Sequence, residues 1–432
     1  MERIQWIDGL RGLAAFSVCS NHIIYGEITA PYRSFWDSPA HENRKLIQLP
    51  PLRLLFASKG MVPLFMVLGS YTISLGLIKS RQSLGLAALC HRVQSIAIRR
   101  FMRLYAPVLL LVSVAQTLYF FDLFSWDFGA MGVLRGREPF QRPISHITYA
   151  FRLVMDLMDI VEFQFSQGFS NQIWTIPYEF RGSLVVCLLT LIFSGCKTHL
   201  RLSALAAISA HLFWYGHWDL FCFVAGQFLA EAKVASSKKI ADRREHGIWQ
   251  LVLLIAGIYL LCLRSETELP HEYRFLVYLE SPYWNKHNPW IDVQYSWHAI
   301  ASLLVVGAIS SSASYQRQLE RRIPQYLGRL SFSMYLVHEV VYRLWRNPLR
   351  DFFWSQCRDG MYPGTDVAYE DPVPFFVAWI GAGLTLGLVT VLAAEVYHHL
   401  LDQRIVALAR TLDIWATTGR HDGNTAMGMK LD

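Results

Sequence analysis

Between Arg11 and His22 the chain reads Arg-Gly-Leu-Ala-Ala-Phe-Ser-Val-Cys-Ser-Asn-His, a largely apolar stretch with a guanidinium at one end and an imidazole at the other. Each such polar group held at membrane depth costs roughly 2–3 kcal/mol, so the pair calls for a compensating role. On a helix, eleven steps of about 100° make three turns plus ~20°, which puts Arg11 and His22 on one face ~16 Å apart along the axis. A fixed cation and a titratable base therefore share one stripe. The imidazole is suited to taking a proton near working pH, whereas the bland alternative is a histidine that hydrogen-bonds a neighbouring helix.

Other residues are spaced for chemistry too. Arg99, Arg100 and Arg103 cluster just before an apolar run. Fork-shaped guanidinium groups match phosphate oxygens, although arginines at a membrane boundary also serve as snorkelling anchors. Glu179, in Trp174-Thr175-Ile176-Pro177-Tyr178-Glu179, is a carboxylate inside an apolar segment and needs a partner on another helix. Arg181, two residues on, points to a different side, so a structural pair would involve the neighbours of Arg181 rather than Arg181 directly. Tyr335 and His338 are three apart and share a face, as do Ser331 and Tyr335. Hydrogen bonding between helices explains that trio as readily as ligand binding does.

Four blocks together resemble one known family. Ile7-Asp8-Gly9-Leu10-Arg11-Gly12-Leu13-Ala14-Ala15 with His22, then Arg99-Arg100-Phe101-Met102-Arg103-Leu104-Tyr105, Trp174 to Glu179, and Leu327 to His338 are similar to the acyltransferase-3 family of integral membrane acyl-CoA-dependent O-acyltransferases, in its fungal form. The second helix departs from the family, reading Leu68-Gly69-Ser70-Tyr71 where the serine ordinarily precedes the glycine. The resemblance implies that His22 is the catalytic base and that Glu179 orients or charges it or binds the acceptor. It further implies that Arg11, Arg100 and Arg103 hold the phosphates of acetyl-CoA, the co-substrate, and that Trp174, Tyr335 and His338 bind a hydroxyl-bearing small molecule such as a terpenoid or another secondary metabolite. No metal is implied.

These residues need helices in a bilayer to position them. Of 432 residues 53% are hydrophobic, 14% aromatic and 17% charged, a composition that fits one polytopic membrane domain better than two or three soluble ones. Apolar windows fall near residues 10–26, 61–78, 104–121, 173–195, 202–215, 218–231, 248–263, 297–310, 326–345 and 373–396, giving an all-α bundle of about ten spans. With the N-terminus inside, the cytosolic connections carry 16 lysines and arginines in 62 residues, against 15 in 147 on the other side, which places both termini in the cytosol. Residues 1–418 read as one domain and 419–432 as a disordered tail. The first apolar run, bearing Arg11 and His22, does not read as a cleavable signal.

The connection 122–172 carries Ile147, Phe151, Val154, Met158 and Val161 at helical spacing and is expected to form an interfacial helix over the site. Seven cysteines without paired spacing suggest neither disulfides nor zinc. The net charge of +7 is accounted for by topology, and no nucleic-acid motif is present. A transporter lined by intramembrane charges is the alternative function, but no two-half repeat with broken helices is visible to support it. A receptor or scaffold would have no use for the buried His and Glu, and the membrane acyltransferases that use an Asn and a His leave Arg11 unexplained. An endoplasmic reticulum or other endomembrane location is expected.

Overall fold

The computed structural model describes residues 4–125, 142–163, 171–237, 247–264, 269–284 and 289–418, so the tail expected to be disordered lies outside the described residues. The described chain is helical, without strands: α1 (Gln5–Ile24), α2 (Ser58–Ser83), α3 (Leu86–Phe120), α4 (Pro143–Met158), α5 (Thr175–Ile192), α6 (Thr198–Trp214), α7 (Trp218–Ser237), α8 (Gly247–Leu261), α9 (Pro289–Ser310), α10 (Ala313–Leu319), α11 (Arg322–Ser355), α12 (Thr365–Ala368), α13 (Pro372–Tyr397) and α14 (Gln403–Thr418). Every apolar window read from the sequence falls on one of these helices. Among the described residues five stretches are long and apolar enough to cross a membrane: Ser58–Ser83, Leu86–Phe120, Gln172–Ile192, Asp292–Ser310 and Pro372–Ala416. Neither α1 nor α11 is among them. Those two carry the charged and titratable residues that lower their hydropathy.

Packing explains how polar helices are kept in place. α11 lies between α1 and α13, while α2 is sandwiched by α7 and α9. α1 and α11 meet backbone to backbone: a Cβ added to Gly12 would sit 2.7 Å from the Leu327 carbonyl carbon, and one on Gly328 would strike the Asp8 carbonyl. Small residues permit this approach, which is how helices without a hydrophobic driving force gain packing energy in lipid. The same device joins α7 to α2, where a Cβ on Gly226 would lie 2.8 Å from Cβ of Ser70. Ser70 itself donates to the Phe223 carbonyl, so the inverted Gly69-Ser70 order turns the serine to α7. Polar staples add to this. Arg81 grips Glu231 through two bonds of 2.5 and 3.0 Å, and Arg201 Nε lies 3.1 Å from the same carboxylate, which is only 2% exposed.

Two elements differ in detail from the sequence reading. α3 has 35 residues and is ~52 Å long, well beyond the ~30 Å of hydrocarbon, so its first turns extend past the apolar window at 104–121. The helix expected between 122 and 172 exists as α4, and it ends before Val161. Its buried residues are His146, Leu153 and Leu157, with Gln116 Nε2 2.6 Å from His146 Nδ1, while Ile147, Phe151 and Met158 are exposed. Lipid reverses the soluble rule: an apolar stripe can face outward, and the polar histidine turns in to find a partner.

Gly12→Val should lower the thermal unfolding midpoint in detergent by the equivalent of ~1–3 kcal/mol of overpacking, whereas Gly387→Ala, where an added Cβ meets nothing within 4 Å, should not. Equal midpoints for the two would refute the close α1–α11 approach. Removing the carboxylate of the buried triad with Glu231→Ala strands two guanidinium groups and should cost ~3–5 kcal/mol, measurable as a lower midpoint than that of Arg81→Ala/Glu231→Ala.

Candidate functional site

α1 runs from an arginine tier to a histidine tier, and α11 follows it closely enough to contribute to the second. The His22 and His338 rings lie edge to face, 5.0 Å between centroids. His338 is fully buried, and its Nδ1 lies 2.8 Å from the Tyr335 carbonyl. A carbonyl only accepts, so Nδ1 carries the proton and Nε2 keeps its lone pair. That Nε2, like His22 Nδ1, is buried without a hydrogen-bond partner among the described residues. Tyr342, one turn further along α11, donates to the Cys19 carbonyl at 3.1 Å. The last turn of α1 is tied down as well, because Tyr32 donates to Asn21 Oδ1 at 2.9 Å.

In the arginine tier, Arg11 Nη2 is 3.5 Å from Thr72 Oγ1 on α2. Arg100 on α3 donates to Glu179 on α5 at 2.6 Å, and Gly69 makes room for the pair, its missing Cβ falling 3.4 Å from Arg100 Nη2. Arg11 is within electrostatic reach of Arg100, Arg103 and Glu179. Glu179 is thereby seated beside the arginines, and the charged or titratable groups facing His22 are His338, Arg343 and Arg264. Arg181 bonds Asp219 at 2.5 Å and lies over the Phe163 ring, so it is satisfied apart from Glu179. Arg103 is exposed and makes no hydrogen bond or ion pair to the described residues.

The remaining candidates form a third group. Trp174 packs edge-on against Tyr178 and Tyr295, with centroids 5.5 and 5.8 Å away, and Tyr295 stacks on Trp218 at 4.5 Å. Tyr335 donates to the Gln172 carbonyl at 2.6 Å and lies 2.9 Å from Thr175 Oγ1. Its hydroxyl is thus occupied by protein, in keeping with helix-to-helix bonding. Its ring faces Phe65 and His338, each 6.1 Å away between centroids, so Tyr335 bridges the aromatic group to the histidines.

Sequence reading passed over several groups. Glu339 is fully buried on α11, 3.8 Å from Arg343, and its Oε2 accepts from the Gln172 amide at 3.4 Å. Arg264, whose guanidinium lies 3.5 Å over the Tyr32 ring, borders a cleft shared with Arg53, Lys59 and Gln294 at the histidine end of α1. Glu339 and Arg343 could have been found as an i, i+4 ion pair within the apolar window 326–345. Arg264 lies in a connection, where nothing in its neighbourhood marks it. Among the described residues no group of three or more metal-binding side chains occurs.

An acyltransferase domain model matches residues 4–394. The chain is 21% identical to the O-acetyltransferase PaAT-1 of Phomopsis amygdali, covering 77% of this chain and 71% of that protein. It is 23% identical to the acyltransferase clz18 of Cochliobolus lunatus, over 81% of this chain and 85% of the relative, and 22% identical to the acyltransferase R4 of Phoma sp. (strain ATCC 20986 / MF5453), over 92% and 93%. No solved structure matches. With all four motif blocks inside the matched span, the chain belongs to the acyltransferase-3 family and is an acyltransferase built of membrane helices.

Proposed function

We propose that this protein transfers an acetyl group from acetyl-CoA to a hydroxyl of a small-molecule acceptor, with His22 as general base. The observation that supports this most is the edge-to-face packing of the His22 and His338 rings, three turns along α1 from Arg11. In the reaction the acceptor hydroxyl loses its proton to His22 as its oxygen attacks the thioester carbonyl, and the thiolate of coenzyme A leaves and is protonated in turn. A neighbouring imidazole with a free lone pair steadies the protonated ring in a place remote from water. Phosphates held by Arg11, Arg100 and Arg103 leave the flexible pantetheine arm to span the ~16 Å to the histidines. Glu179, bonded to Arg100, positions that guanidinium. Trp174 and Tyr335 offer ring faces to an acceptor with an apolar skeleton, and His338 lies at the end of that surface. A terpenoid or related secondary metabolite fits such a surface, and the name of the Phomopsis relative supports O-acetyl transfer.

We further propose an endomembrane location with ten spans and both termini in the cytosol, a reading supported by the lysine and arginine densities. Cys90, Cys196 and Cys357 are exposed free thiols, the first two in segments assigned to the cytosol and the third to the opposite side. An impermeant maleimide added to sealed right-side-in microsomes should therefore modify Cys90 and Cys196 and spare Cys357. Modification of all three from one side would reject the topology.

Purified protein given acetyl-CoA and an extract of host metabolites should yield a product heavier by one acetyl group. His22→Ala should lose ~10²–10⁴ in turnover, the usual worth of a general base, with coenzyme A affinity nearly unchanged. Labelled acetyl-CoA without acceptor should leave no label on the protein under rapid quench. Stable label that disappears in His22→Ala would mean that the imidazole carries the acyl group, and wild-type turnover in His22→Ala would reject the assignment altogether.

A further inference from the structure

The segment that follows the matched acyltransferase region is also ordered against the site. A π-turn at His398–Asp402 links α13 to α14, and α14 packs along the first half of α3. Its seat is polar as well as apolar: Ile405, Ala409 and Asp413 are buried, Asp413 Oδ2 accepts from Ser95 Oγ at 2.6 Å, and Arg99 Nε lies 3.5 Å from the same oxygen. Tyr397 donates to the Pro107 carbonyl at 2.8 Å, fixing the approach to the turn.

This docking assembles arginines from two helices. Arg92, Arg99 and Arg103 fall on one stripe of α3, seven and then four residues apart. Arg410, one residue past the buried Ala409, is exposed and lies within electrostatic reach of both Arg99 and Arg103. The facing carboxylates are already committed, Asp413 to Ser95 and Arg99, and Asp402 to His398 at 3.0 Å. Arg103 and Arg410 make no bond to the described residues. Like charges brought together at an exposed edge repel, and the fold recovers that cost when an anion bridges them.

We propose that α14 completes the donor-binding surface, Arg410 joining Arg99 and Arg103 to hold phosphate groups at the nucleotide end of the acyl donor. The inference rests on the acyl-CoA reading above and adds a residue outside the matched span. Anionic lipid headgroups present the same phosphate chemistry, so the test separates the two. Full-length protein in nanodiscs, with and without an anionic lipid, is titrated calorimetrically with coenzyme A. Arg410→Ala should weaken binding about ten-fold in both bilayers, roughly the worth of one charge-assisted hydrogen bond, and Arg410→Lys should recover part of it. Arg404→Ala removes the same charge from another face of α14 and should change affinity less than about two-fold. Wild-type binding with no loss in Arg410→Ala would overturn the role of α14, as would a loss seen only in the anionic bilayer or an equal loss in Arg404→Ala. Absence of coenzyme A binding by the wild type would overturn the donor reading, and this inference with it.

Discussion

The close approach of α1 and α11 is the constraint on which the site depends. Gly12 and Gly328 let the two backbones touch near their N-terminal ends, and from there the helices run together to His22 and His338. Neither helix is apolar enough to be held by lipid preference alone, so packing must replace hydropathy. Further along, the Tyr342 bond to the Cys19 carbonyl fixes the rotation of one helix against the other, which sets how the imidazoles meet. α13 supports α11 from its other flank: Leu330, Met334 and Val337 pack with Ala394.

The second organising effect is the handling of intramembrane charge. Arg100 with Glu179, Arg181 with Asp219, and Arg81 and Arg201 with Glu231 are pairs between different helices, each tying two or three elements together. Such pairs contribute little net stability once desolvation is counted, but breaking one is costly, so they fix register more than they add to the total. Within the arginine tier only Arg100 is paired in this way. Among the described residues Arg11 makes one long hydrogen bond, to Thr72, with Asp8 and Glu179 within electrostatic reach, and Arg103 makes no hydrogen bond or ion pair. Such incomplete pairing is what the proposed donor site requires, because full neutralisation would leave nothing for a phosphate.

Much of this was legible in the chain itself. Runs of apolar residues located the long helices, helical periodicity located α4, and the eleven-residue spacing put Arg11 and His22 on one stripe of α1. Lateral relations were not legible. Glu179 read as a carboxylate in need of a partner on another helix, but that the partner is Arg100 on α3 was out of reach, because no one-dimensional count reports which helix lies alongside. α4 was found by its periodicity, but which of its faces meets the rest of the protein was not legible, because an apolar stripe says nothing about whether lipid or protein lies beyond it. Glu339 and Arg343 were open to view as charges in an apolar window and were missed by following motifs instead.

The two tiers impose an order on the proposed reaction. A donor anchored by phosphates at the arginine tier reaches the histidines only through an extended flexible arm, so its reacting carbon arrives along the Arg11–His22 face of α1. The acceptor must come by another path, because that face is then covered. Two groups lie near the histidines: the aromatic one ending in Tyr335, whose ring is 6.1 Å from that of His338, and Arg264, which is within electrostatic reach of His22 and borders the cleft beyond Tyr32. The first is apolar and the second cationic. Separate approaches let the two substrates bind without exchanging places, and they bring the hydroxyl and the thioester together only at the imidazole, where loss of the proton and attack on the carbonyl can coincide.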